Sequence, residues 1–177
     1  QENVGITFII VTHDQDEALS MGGRIAVMDK GAVMQIATPA ELYEHPASRF
    51  VADFIGKVNL IDAKVLSAKG KKIACQAKGI GKIELTVDKP CGGNVAVAVR
   101  PEKLKIGKTE PKGVNLIKIE GKVRDVAYYG DTSHVVVSTK DGLDLSINVQ
   151  NDRREGGTDA DEGRGGEVVT PEDAARP

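Results

Sequence analysis

One histidine and three carboxylates fall close together near the start of the chain: His13, Asp14, Asp16 and Glu17. An imidazole in such company can move a proton, cap a helix or contact a phosphate, depending on the elements that hold it. Ile6, Phe8, Ile9, Ile10 and Val11 precede it, an apolar run dominated by β-branched residues. That run predicts a strand buried on both faces, as in a parallel sheet covered by helices. After Thr12 the acidic residues crowd the start of a helix, where carboxylates favour the positive end of the macrodipole. Asp14 with Glu17 three residues on predicts a capping box, with Asp in place of the usual Ser or Thr. His13 is thereby set at the carboxyl end of a strand and just ahead of a helix. Open α/β sheets take ligands at that edge, and helix N-termini there favour phosphates. The bland alternative is a surface residue or a cap.

Other groups weigh less. Arg100 and Glu102 flank Pro101 at a predicted strand end, either as a structural turn with a salt bridge or as ligand contacts. With Lys103 and Lys105, Arg100 would be the natural contact for an anion. Gly107-Lys108-Thr109 mimics the end of a phosphate-binding loop, but Glu102 stands where the loop requires Gly, and Pro111 interrupts the following helix. Gly79-Ile80-Gly81 lacks a third Gly and a helix, and reads as a turn. His45 precedes a Pro, and His134 lies in a strand without a nucleophile or carboxylate pair beside it. Tyr128-Tyr129 could stack bases, but adjacent strand residues face opposite sides and no basic stripe accompanies them. Cys75 and Cys91 form neither a zinc motif nor a disulfide framework, so two reduced thiols are expected.

The elements that must carry these groups fall into three stretches. Residues 1–57 read as β-α-β-β-α-α. Arg24–Asp29 and Ala32–Ala37 are strands around a Lys30-Gly31 turn, and Gly22-Gly23 ends the first helix. Thr38-Pro39-Ala40-Glu41 starts a helix, and Ser48 caps another that turns Phe50, Val51, Phe54 and Ile55 to one face and stops at Gly56. Residues 58–150 carry short strands between turn signals: Leu60–Ser67, Lys72–Gln76, Lys82–Val87, Val95–Val99, Lys118–Ala127, Ser133–Ser138 and Leu143–Val149. That pattern predicts an all-β barrel or sandwich resting on Ile, Leu and Val. Residues 151–177 hold eight acidic and four basic residues and no Leu, Ile, Phe, Tyr or Met, a composition that points to disorder. A last strand in Gly165–Ala174 is left open.

The 177 residues are 40% hydrophobic and 28% charged, with a net charge of −2, so no global attraction to nucleic acid or anionic lipid is expected. No apolar stretch reaches the roughly 18 residues that span a bilayer, so direct membrane insertion is not expected either. Because Gln1 stands directly before an apolar strand, further sequence is expected upstream.

Val11-Thr12-His13-Asp14-Gln15-Asp16-Glu17-Ala18 closely resembles the switch-histidine loop of ABC transporter ATPases. The likeness continues through Arg24–Asp29, Gln35–Tyr43 and Pro46–Phe54, and is nearest to the polyamine (spermidine and putrescine) importer branch. Val97-Ala-Val-Arg-Pro-Glu102, Gly121-Lys-Val-Arg-Asp-Val126 and Tyr129-Gly-Asp-Thr132 resemble the TOBE domain, an OB-like barrel appended to such ATPases. The resemblance implies an α+β chain: the carboxyl-terminal fragment of an α/β ABC ATPase domain followed by an all-β OB-like barrel. It implies that His13 contacts the γ-phosphate of ATP and the attacking water. ATP and Mg²⁺ are then the cofactors of an intact subunit. This chain has no phosphate-binding loop, acidic magnesium site or ABC signature, so alone it is expected to hold neither cofactor and to be inactive. Implied partners are a second copy, in a homodimer, and ABC permease subunits at the cytoplasmic face of the plasma membrane. A second reading is a free-standing TOBE-type barrel that binds a small ligand or oxyanion.

Overall fold

The structure is a computed structural model that describes residues 7–87, 91–107 and 117–151, and the backbone of 167–171. The chain divides after Gly56 into two compact units.

In the first unit, helix α1 spans Gln15–Met21. Strands β1 (Ile25–Asp29) and β2 (Ala32–Ala37) form an antiparallel hairpin, and helices α2 (Pro39–Glu44) and α3 (Arg49–Phe54) follow. Lys30 and Gly31 both have positive φ (49° and 82°), the conformation that lets a two-residue loop follow the twist of its strands. The Thr38 cap forms as the sequence predicts. Thr38 Oγ1 accepts from the Glu41 N–H at 3.3 Å, and the Thr38 N–H donates to Glu41 Oε2 at 3.0 Å. Ser48 Oγ accepts from the Val51 N–H at 3.3 Å. Val27, Leu42, Val51 and Ile55 close into a small core against Leu19, Ile25, Tyr43 and Phe50. Phe54, expected on the same face, is instead partly exposed and stacks on Phe50 with centroids 5.7 Å apart.

Three expectations for this unit need correction. The apolar run is not a buried strand: Thr7–Thr12 joins no ladder, and Ile9 and Val11 are 89% and 95% exposed. A strand apolar on both faces needs paired neighbours and covering layers, and the described residues offer it none. The Asp14 capping box forms only in half. Asp14 Oδ1 accepts from the Glu17 N–H at 3.0 Å, but the Asp14 N–H goes to Thr12 Oγ1 at 3.0 Å instead of to Glu17. Gly22 caps α1 without positive φ; what it supplies is space. A Cβ there would lie 2.9 Å from the Ala18 carbonyl oxygen and 3.0 Å from Ile25 Cγ1.

The second unit is built from two antiparallel sheets. One has the order β5-β4-β3-β6, with β3 at Asn59–Lys69, β4 at Lys72–Ala77, β5 at Gly81–Thr86 and β6 at Asn94–Val99. A 3₁₀ turn at Pro101–Lys103 leads into β7 (Leu104–Gly107). The second sheet has the order β10-β9-β8-β11-β7, with β8 at Ile119–Tyr128, β9 at Thr132–Thr139, β10 at Asp144–Gln150 and β11 at Glu167–Pro171. Alternate residues along β9 (Ser133, Val135, Val137 and Thr139) are buried, the two-residue period of a half-covered strand. Ile61, Ile73, Cys75 and Ile83 of the first sheet share one core with Val135, Val137, Leu145 and Ile147 of the second.

Gly121 lets two strands approach closely. A Cβ on it would stand 2.4 Å from Val137 Cγ1 and 2.9 Å from the Ser138 carbonyl oxygen. The last strand that the sequence left open within Gly165–Ala174 forms at Glu167–Pro171, where β11 pairs with β7 on one side and β8 on the other. The rest of the tail after Asn151, and Lys108 and Thr109 of the rejected phosphate motif, lie outside the described residues. Neither cysteine is in a disulfide. Burial pushes the Cys75 thiol up from its ordinary range, and nearby Cys91 adds to the shift, so Cys75 is an inert core residue.

Candidate functional site

His13 lies at an exposed bend two residues before α1. Among the described residues its side chain has no hydrogen-bond partner. The helix behind it is anchored: Gln15 Oε1 accepts from the Gly56 N–H at 3.0 Å, tying the start of α1 to the end of α3 within the unit. The first turn offers little to an anion. Its Glu17 N–H is taken by Asp14, and the carboxylates of Asp16 and Glu17 surround it. These residues do not by themselves fit a nucleotide. They present one imidazole and no cradle.

Arg100 and Glu102 part company in the fold. Arg100 is buried, and its Nη1 donates to the Lys57 carbonyl at 3.2 Å, which makes it a brace for the start of the second unit. Glu102 is exposed on the 3₁₀ turn, where Lys103 N–H bonds the Arg100 carbonyl at 3.0 Å. Lys103 is half-buried and Lys105 exposed, so the three cations that sequence alone grouped as anion contacts differ sharply in access.

Two residues that sequence reasoning passed over do the joining. Asn59 is buried; its Nδ2 donates to the carbonyls of Val99 (3.2 Å) and Ser146 (2.8 Å), and its Oδ1 accepts from the Ser146 N–H at 2.7 Å. One amide thus mimics a strand at the open edge of β10 while holding β6, and links both sheets. Gln35 does similar work in the first unit, donating to the His45 carbonyl at 3.1 Å and accepting from the Ala47 N–H at 2.7 Å. The only available signal was an isolated polar residue, at the first position of β3 for Asn59 and inside the apolar β2 for Gln35.

The core of the second unit holds a cavity of about 20 Å³ lined only by apolar side chains, among them Ile61, Val99, Leu104 and Leu145. It has no polar partner for a water and no room for a ligand. Among the described residues no group of three or more His, Cys, Asp or Glu could hold a metal ion, and no helix is long and apolar enough to cross a membrane.

Comparison with known proteins gives these features a context. Residues 97–176 match the TOBE domain. The spermidine/putrescine import ATP-binding protein PotA of Rubrobacter xylanophilus is 45% identical over 86% of this chain, which covers 40% of that protein. The chain is PotA-like, with a TOBE domain in its second unit. The PotA proteins of Ruegeria pomeroyi (42% identical) and Pseudomonas aeruginosa (38%) each match 85% of the chain, which covers 40% and 42% of them. The chain therefore spans about two fifths of the length of these PotA relatives. Among solved structures, the cytoplasmic molybdate-binding protein ModG, in a form with molybdate bound, superposes with a TM-score of 0.50 at 11% identity. The match covers 64% of this chain and 89% of ModG, a likeness of fold alone. The two-sheet unit accords with the OB-like β architecture read from the PotA-like sequence.

Proposed function

We propose that this PotA-like chain serves as the carboxyl-terminal portion of the ATP-hydrolysing subunit of an ABC importer for polyamines. The observation that carries the reading is 45% identity to a spermidine/putrescine import ATP-binding protein across most of the chain. In such a subunit His13 is the contact to the terminal phosphate, consistent with its exposed place ahead of α1. ATP and Mg²⁺ are held by regions of the subunit that this chain's residues do not supply. The second unit serves dimerisation or regulation, with Arg100 as an internal brace and Glu102 as its exposed neighbour. The subunit works as a homodimer against permease subunits, peripheral to the inner face of the plasma membrane.

The test is a chimera in which residues 1–177 replace the corresponding region of the Rubrobacter xylanophilus protein. Mg-ATP hydrolysis should survive the replacement and fall by about a hundredfold or more in His13→Ala, the scale of losing one transition-state contact. Hydrolysis unaffected by His13→Ala would remove the assigned role. The free-standing chain should not hydrolyse ATP.

The alternative is a TOBE-type barrel that binds a small ligand in its own right. It draws support from the separate core of the second unit.

A further inference from the structure

The outer face of the second sheet, opposite the core, carries a group of donors that neither the transport reading nor the TOBE match employs. Lys57 Nζ lies 3.4 Å from His134 Nδ1. The His134 ring leans on Tyr129, with centroids 4.6 Å apart and planes at 47°. On the same face Asn148 of β10 and Ala127 of β8 stand directly across from His134 in register. Ala127 contributes only a methyl group on that face, and Tyr129 packs on the ring at the β8–β9 turn. Among the described residues no carboxylate pairs with Lys57 or His134.

Surface lysines usually trail into water, but this one leaves a fixed point. Its carbonyl is held by the buried Arg100 guanidinium at 3.2 Å. Two residues on, Asn59 makes three hydrogen bonds that fix the start of β3 to both sheets. His134 is fixed in turn by the ladders on both sides of β9. An ammonium can only donate, so a hydrogen bond between the two has Nδ1 as acceptor and pairs with the tautomer that carries its N–H at Nε2. The backbone positions of a cation, an imidazole N–H and an amide are thus set before any ligand arrives, which lowers the ordering cost of binding. Donors so arranged, with no carboxylate paired to them among the described residues, are complementary to an oxyanion.

We propose that Lys57, His134 and Asn148, walled by Tyr129, form a shallow binding site for a small oxyanion of the phosphate or carboxylate type. The site is independent of the ATPase assignment and gives the barrel-as-binding-module alternative a location other than Arg100, Lys103 and Lys105. Asp125, paired with Val136 one alternate position along the same face, is the nearest acid in register. It opposes highly charged anions.

The test uses the full chain, ¹⁵N-labelled and titrated with inorganic phosphate at constant ionic strength set by chloride. A parallel titration with acetate separates phosphate from carboxylate as the preferred group. Saturable shifts confined to the amides of Lys57, His134 and Asn148 are expected. Lys57→Met should weaken binding by about tenfold or more, the equivalent of one charge-assisted hydrogen bond. Asp125→Asn should tighten it, and Lys103→Met, which leaves the site intact, should not alter it. Thermal unfolding of each variant separates lost binding from lost fold. Absence of saturable shifts, or shifts that persist unchanged in a folded Lys57→Met protein, would overturn the proposal.

Discussion

Among the described residues, four buried apolar side chains, Val27, Leu42, Val51 and Ile55, close the core of the first unit, whereas thirteen buried residues close that of the second. The first unit also leaves Phe8, Ile9, Ile10, Val11, Met28, Val33 and Ile36 open to solvent. Its helices are nevertheless capped by side chains at all three N-termini. Local signals are therefore intact in a segment whose long-range burial is thin. The contrast separates what a sequence does with its neighbours in the chain from what it can do only with neighbours in space.

The largest test of that contrast is a pair of core truncations. Ile147→Ala should lower the stability of the second unit by about 2–5 kcal/mol, since Ile147 is fully buried in a core that cannot collapse around it. Leu42→Ala should abolish a separate, weaker transition of the first unit and leave the second unchanged. Calorimetry that finds one transition, moved equally by both substitutions, would erase the distinction. Asn59→Ala comes next. Removing the amide leaves the Ser146 N–H and two carbonyls without their partner, at a cost of about 1–3 kcal/mol confined to the second unit. A loss of under a few tenths by denaturant titration would mean that water replaces the amide and that the two sheets do not depend on it.

The smallest effect belongs to the first unit. Thr38→Ala should cost about 1 kcal/mol of its stability. Backbone and side-chain hydrogen bonds from Thr38 hold the Glu41 carboxyl below its ordinary range. That contribution is present above the unfolded carboxylate value and is lost as pH falls through the lowered folded value. Acid titration of the first unit should therefore show a step that Thr38→Ala makes smaller without removing it, because the hydroxyl donor is lost while the backbone N–H of residue 38 still reaches Glu41, followed through the Glu41 side-chain resonance. An identical acid profile in the variant would sever the cap from the pH dependence.

Where the determinants are local, the sequence was legible. The Thr38 and Ser48 caps, the Lys30-Gly31 turn and seven strands of the second unit follow from turn residues and alternation, with ends displaced by a residue or two. Leu104–Gly107 escaped notice because four residues containing a Lys are too few to show a period, and its strand identity comes from the β11 partner alone. The Phe8–Val11 run shows the converse: its composition asks for a strand with neighbours on both sides, and the described residues provide none. At the candidate sites, residue type indicated His13, but nothing in the spacing could reveal that Arg100 turns inward. Nor could it show that Lys57 and His134, 77 positions apart, stand side by side.

Because β11 lies between β7 and β8, which do not pair with each other, the larger sheet is stitched together by a segment that follows every other described strand in the chain. Until Glu167–Pro171 has emerged, the nascent protein must carry two open strand borders, separated by a gap of one strand. Any premature stop in the preceding acidic stretch would make that transient condition permanent, and would turn a continuous sheet into a template for its neighbours.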